Sequence, residues 1–112
     1  MDKNTLILFT RNGMGDAPAE LQQKLAGIFL NLLNKDTVPG IVAFYGEGVR
    51  LSCDGSPVLN PLRALVDKGT TLVICQTCLD DLGLRDAVRV GTIGGMGDIV
   101  AAMGSADKVI SV

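Results

Sequence analysis

Short apolar blocks alternate with longer amphipathic stretches along the whole chain. Thr5 to Thr10 is an apolar run rich in β-formers, bounded by Arg11-Asn12-Gly13-Met14-Gly15-Asp16, and predicts a buried strand followed by a loop. From Pro18 to about Asn34, behind a proline suited to a first helical turn, Leu21, Leu25, Ile28, Phe29, Leu32 and Leu33 recur at helical spacing. This is the longest predicted helix. Ala26 and Leu30 carry its apolar surface beyond the single stripe that a sheet covers, so a partner subunit is expected over the remainder. Gly40 to Phe44 predicts a second strand, and Tyr45-Gly46-Glu47-Gly48-Val49-Arg50 opens a loop that runs to Asp54-Gly55-Ser56. Ser56 is placed as an N-cap with Pro57 in the first turn of a second helix, which carries Val58, Leu62, Leu65 and Val66 on one side and stops at Lys68-Gly69. Thr71 to Cys75 is the third strand. A short helix is expected from about Cys78, a break at Gly83 and a brief extended piece at Arg89-Val90-Gly91. Gly94-Gly95-Met96-Gly97 then leads into a helix with Ile99, Val100 and Met103 inward, and Lys108 to Val112 closes the chain as a strand.

Strands separated by helices imply βαβ crossovers and a mostly parallel sheet covered on both faces, a three-layer α/β/α architecture of about five strands. In such sheets the loops after the carboxyl ends of the strands form one rim, where ligands bind. Arg11 to Asp16, Tyr45 to Ser56, Cys75 to Asp81 and Thr92 to Gly97 belong to that rim. All three cysteines follow strand ends.

The 112 residues make one domain spanning 1–112, and 47% hydrophobic residues suffice for its core. Nucleic-acid binding is excluded by an aromatic share of 4% and a net charge of -2, where stacking platforms on a basic surface are needed. His 0 removes every mechanism that relies on an imidazole base or ligand. Apolar runs are far shorter than the roughly 20 residues of a membrane span, so no membrane partner is expected. With no export signature at Met1-Asp2-Lys3-Asn4, the expected location is the cytoplasm, where cysteines persist as free thiols.

Cys75-Gln76-Thr77-Cys78 is the sharpest chemical feature. A Cys-x-x-Cys at a strand-to-helix junction sets the first thiol, Cys75, near unpaired helix amides, which favour a thiolate. Packing of both cysteines as small apolar residues is the alternative. Zinc needs four soft ligands, and three cysteines without histidine do not supply them. Cys53 is a third thiol on a neighbouring loop, reactive or simply packed. Gly13-x-Gly15 and Gly94-Gly95-x-Gly97 offer exposed amides for an anion, or merely tight turns; Pro18 replaces the third glycine of a dinucleotide fingerprint. Tyr45, Gly48 and Arg50 join Gly13, Gly15 and Gly95 as candidate rim residues for substrate or anion. Arg11 is a further cation there, and Asp80 and Asp81 sit in the first turn of the short helix.

Phe44-Tyr45-Gly46-Glu47-Gly48-Val49-Arg50-Leu51, Gly55-Ser56-Pro57-Val58-Leu59, Cys75-Gln76-Thr77-Cys78-Leu79-Asp80 and Ala106-Asp107-Lys108-Val109-Ile110 together resemble a DsrE/DsrF-like domain, in particular the carboxyl-terminal domain of YedF-type proteins. Gln76 departs from a common glycine, and Gly94-Gly95 from a more polar pair. The resemblance implies a small α/β domain that assembles as a trimer, hexamer or dimer and serves intracellular sulfur relay. It places a persulfide on Cys75, with Cys78 as the second cysteine of the segment.

The implied function is a sulfur carrier or sulfurtransferase acting with a small sulfur-carrier protein as donor or acceptor, without metal or organic cofactor. Two other activities fit the same residues: an oligomeric module binding a small anion or nucleotide, and a Cys-x-x-Cys disulfide oxidoreductase.

Overall fold

The computed structural model describes all residues from Met1 to Val112. Five strands, β1 (Thr5–Phe9), β2 (Ile41–Phe44), β3 (Thr71–Cys75), β4 (Thr92–Gly94) and β5 (Lys108–Ser111), form one sheet in the order β4-β3-β2-β1-β5. Every neighbouring pair is parallel, as the intervening helices α1 (Ala19–Leu33), α2 (Leu59–Asp67), α3 (Gln76–Asp81) and α4 (Met96–Ser105) require. The architecture is α/β.

Register assigns the two faces. Ile7, Val42 and Leu72 lie in line across the sheet, as do Phe9, Phe44 and Ile74, and all six are buried. Phe9 stacks on Phe44 at 5.5 Å and meets Phe29 of α1 edge-on at 6.1 Å, so α1 covers this face. α2 packs beside α1, joined through Asn34, whose side-chain amide donates to the Pro61 carbonyl at 3.0 Å. The opposite face carries Leu6, Leu8, Ala43 and Val73. Gly94 lies on that side against Val73 and Asp98, which puts α4 there. The first two helices and the fourth therefore enclose the sheet between them.

Several local expectations change. In α1 the buried positions are Ala26, Leu30 and Leu33, whereas Leu21, Leu25, Ile28 and Leu32 face outward. The helix has two apolar stripes, and the one containing small Ala26 allows the closer approach to the sheet. In α2, Leu62 and Leu65 are buried but Val66 is exposed. Ser56 does not cap α2: its hydroxyl accepts from the Val58 N–H at 3.2 Å, closing a turn that keeps Pro57 outside the helix. Helix α3 starts at Gln76, directly after β3, and not near Cys78.

Arg89-Val90-Gly91 is not a strand. The extended pairing begins at Thr92, while Val88 forms an isolated antiparallel bridge with Cys53. In α4, Ile99 is buried and Met103 half-buried, but Val100 is 58% exposed, because a helix over one edge of the sheet buries only a narrow stripe. The segment after β2 is not an open loop: Gly46–Ser52 forms a 3-10 helix along the carboxyl rim. No helix is long and apolar enough to cross a membrane.

Candidate functional site

The carboxyl end of β3 delivers the Cys-x-x-Cys segment to the rim. Cys75 is the last strand residue, in register with Gly94, and is 1% exposed. Cys78 stands on α3, half-buried, at the edge of a depression of about 290 Å³ lined also by Gly46, Glu47, Thr77, Asp81 and Leu82. The resemblance puts the carried sulfur on Cys75, yet the thiol that meets solvent is Cys78.

Two interactions define Cys78. The Gly46 N–H donates to its Sγ at 3.1 Å, and the buried Cys75 thiol is near enough to act on it from behind. Gly46 occupies a left-handed conformation, φ +57°, at the mouth of the 3-10 helix, and glycine is the residue that adopts it without strain. Burial pushes the Cys78 thiol up from its ordinary pKa; the Gly46 amide opposes this, while Cys75 and Asp81 add to it. The resting site therefore holds Cys78 as a protonated thiol at neutral pH. An anionic sulfur formed there has one amide ready to receive it.

Cys53 lies at the other end of the 3-10 helix. Its Sγ donates to the Val49 carbonyl at 3.3 Å, and it borders a cavity of about 200 Å³ with Asn12, Gln23, Arg50 and Asp54 among its walls. Burial raises its pKa too, opposed by the Ser52 hydroxyl and by the cations Arg50 and Arg89. All three thiols are free. Cys53 does not share the Cys78 depression.

The other rim residues are mostly occupied with packing. Gly13 (φ +146°) donates to the Arg11 carbonyl at 2.8 Å, and a Cβ there would strike the Gln22 backbone. Gly15 also takes a positive φ, of +83°, in the same turn. Gly48 presses against the Phe9 carbonyl so closely that no side chain fits. The Tyr45 N–H donates to the Phe9 carbonyl at 3.1 Å, and the Gly95 N–H to the Asp98 carboxylate at 2.9 Å. The Gly13, Tyr45, Gly48 and Gly95 amides are therefore engaged within the chain. Arg50 pairs with Glu47 and lines the Cys53 cavity, and Asp80 is held by Arg85 through two hydrogen bonds of 2.7 and 2.8 Å. No group of three or more metal-ligating side chains forms.

Of the predicted residues, the structure brings Cys75 and Cys78 together and leaves Gly13, Gly15, Tyr45, Gly48, Arg50 and Gly95 outside their depression. Gly46, Glu47, Thr77 and Asp81 lie within the rim segments marked in the sequence but were not singled out as site residues, and Leu82 lies just beyond them. Their one legible signal was position: both segments directly follow neighbouring parallel strands, β2 and β3.

The sequence profile of the DsrE/DsrF-like family matches residues 3–112. The chain belongs to that family. Solved structures agree in fold. The YchN protein of E. coli superposes with a TM-score of 0.72 at 18% identity over 100% of both chains. MTH1491 of Methanobacterium thermoautotrophicum gives 0.64 at 19% identity, over 96% of this chain and 97% of that one. BT1422 of Bacteroides thetaiotaomicron gives 0.66 at 14%, over 97% and 95%. No curated protein sequence matches the chain. Identities this low carry the DsrE-like fold and not the roles of individual residues.

Proposed function

We propose that this DsrE-like chain is a sulfur carrier in which Cys78 receives sulfane sulfur and Cys75 stands behind it as the second thiol. The observation that carries this is the Gly46 N–H directed at the Sγ of the half-buried cysteine, with the buried Cys75 near enough to act on it. A nucleophile must reach the donor, which favours Cys78 over Cys75 as the first acceptor. The order is the reverse of the one the family resemblance implies.

In the loading step the Cys78 thiolate attacks the outer sulfur of a donor persulfide, R–S–SH. The donor S–S bond breaks, R–S⁻ departs with the electron pair and takes up a proton, and Cys78 becomes Cys78–S–SH. The Gly46 amide stabilises negative charge on the Cys78 sulfur as the attacking thiolate forms. Delivery to an acceptor thiol reverses this exchange. Without an acceptor, the Cys75 thiolate attacks the inner sulfur of the persulfide, HS⁻ leaves, and a Cys75–Cys78 disulfide remains. Every electron moved comes from a thiolate, so no metal or organic cofactor takes part. A small sulfur-carrier protein as donor or acceptor, a cytoplasmic location that keeps thiols reduced, and assembly of several copies belong to the same proposal.

Intact mass after incubation with a sulfane-sulfur donor tests it. Wild type and Cys75→Ser should gain one sulfur and Cys78→Ser none, with the adduct longest-lived in Cys75→Ser. A reversible Cys75–Cys78 disulfide with no sulfur adduct in any variant would identify a disulfide oxidoreductase instead. Neither adduct nor disulfide would leave a binding module with packed thiols.

A further inference from the structure

The thiols at the two ends of the 3-10 helix sit in different charge surroundings. None of the residues lining the Cys78 depression is cationic, and two of them, Glu47 and Asp81, are acidic. Glu47 is matched by Arg50, whose side chain turns toward the other cavity, and Asp80 is matched by Arg85. Asp81 enters no ion pair, so its charge stands uncancelled at the opening. It is close enough to act on Cys78 directly, raising the cost of a second negative charge there. At Cys53 the cations Arg50 and Arg89 act in the other sense, with Asp54 facing Arg89 at 3.7 Å.

We propose that Asp81, with Glu47 beside it, selects the partner of Cys78: a donor or acceptor cysteine flanked by lysine or arginine on another protein, in preference to an anionic sulfur compound such as thiosulfate. An anionic donor approaching this opening meets the Asp81 carboxylate and the attacking thiolate together, two like charges at contact. A cationic segment is drawn to both, and its charge lowers the cost of forming the thiolate at the moment of attack. Asp81 is thus a specificity-determining residue, and its effect is read in the ratio of rates for two partners of opposite charge. The inference rests on Cys78 as the exchanging thiol.

The test uses two short peptides, identical except that the central cysteine is flanked by lysines in one and by glutamates in the other. Each is activated as the thiopyridyl mixed disulfide, so the leaving group is the same. The Cys78 thiolate displaces pyridine thione and keeps the peptide as a mixed disulfide, and the rate is read as loss of free Cys78 by quench and peptide mapping. At low ionic strength the lysine peptide should react about tenfold faster. That ratio should fall toward one at about 1 M salt, where the screening length is only about 3 Å. Asp81→Asn should bring it near one at low salt, and Asp81→Glu should preserve it, which separates loss of charge from loss of structure. Equal rates in the wild type, or a faster glutamate peptide, would overturn the assignment to Asp81 while leaving Cys78 as the nucleophile. Failure of Cys78 to react with either peptide would remove the sulfur-carrier function and this inference with it.

Discussion

The surroundings of Cys78 hold its thiol in the protonated form. Its pKa is raised by burial first, with Cys75 and Asp81 adding to the shift and only the Gly46 amide acting against it. Alkylation of Cys78 should therefore accelerate with pH through a midpoint above the roughly 8.5 of a free cysteine. Mass-mapped iodoacetamide labelling against pH checks this, and a midpoint below 8 would show that the amide dominates. The same shift bears on stability. A thiol whose pKa is higher in the folded state contributes stability that is fully present below the unfolded pKa and lost as pH rises through the folded one. Cys53 is shifted in the same direction. The protein should thus lose stability to urea above about pH 8.5, and Cys53→Ala and Cys78→Ala should flatten that decline. Near the site, glycine geometry matters at Gly48, where a Cβ would sit 2.2 Å from the Phe9 carbonyl oxygen. Gly48→Ala should cost about 2 kcal/mol or more and move the 3-10 helix off β1, displacing the Gly46 amide from Cys78. A urea midpoint unchanged from wild type would contradict the close approach.

At the scale of elements, the parallel pattern was plain in the sequence because buried strands such as Leu6-Ile7-Leu8-Phe9 and Leu72-Val73-Ile74-Cys75 are continuous apolar runs set between longer periodic stretches. The choice of helix face was not. Along α1, Leu21, Leu25, Ile28 and Leu32 repeat as regularly as Ala26, Leu30 and Leu33, and periodicity cannot tell a stripe that meets the sheet from one that faces away. Leu30→Ala should accordingly cost about 2–5 kcal/mol in urea denaturation, whereas Leu32→Ala, at a position 59% exposed, should stay within about 0.5 kcal/mol at low protein concentration. The reverse order would mean that α1 is rotated about its axis. The site was legible to the same degree. Cys75-Gln76-Thr77-Cys78 marks itself by residue type, but Gly46 reaches Cys78 only because β2 and β3 are adjacent in the sheet, a neighbour relation no local pattern encodes. The glycine loops at Gly13 and Gly95 looked like anion cradles because sequence shows where amides cluster and not where their hydrogen bonds go. Here they go to the Arg11 carbonyl and the Asp98 carboxylate.

The whole molecule exposes apolar surface on both sides of the sheet. On one side it is the outer stripe of α1; on the other, α4 leaves Met96, Val100 and the edge-strand residue Val109 uncovered. Val109 is in register with Leu6, so it belongs to the α4 face, and α4 contacts β3 and β4 at the far end of the sheet from β5. A chain of 11.7 kDa with two such areas has reason to self-associate, and the two areas are far enough apart to be tested separately. Lysines at Leu25 and Ile28 put charge into the first area, and a lysine at Val100 puts it into the second. Neither set touches a buried position, so circular dichroism should be unchanged. If assembly uses the α1 stripe, sedimentation of Leu25→Lys/Ile28→Lys should fall to the 11.7 kDa monomer while Val100→Lys remains assembled, and the α4 face would give the opposite result. A chiefly monomeric wild type at micromolar concentration would remove self-association from the proposed function, leaving both surfaces to other proteins. Assembly also bears on the chemistry, because Cys78 lies at the carboxyl rim, between the two faces. Persulfide loading in the dissociated variant should then proceed at the wild-type rate, and a loss there would mean that a neighbouring copy completes the site.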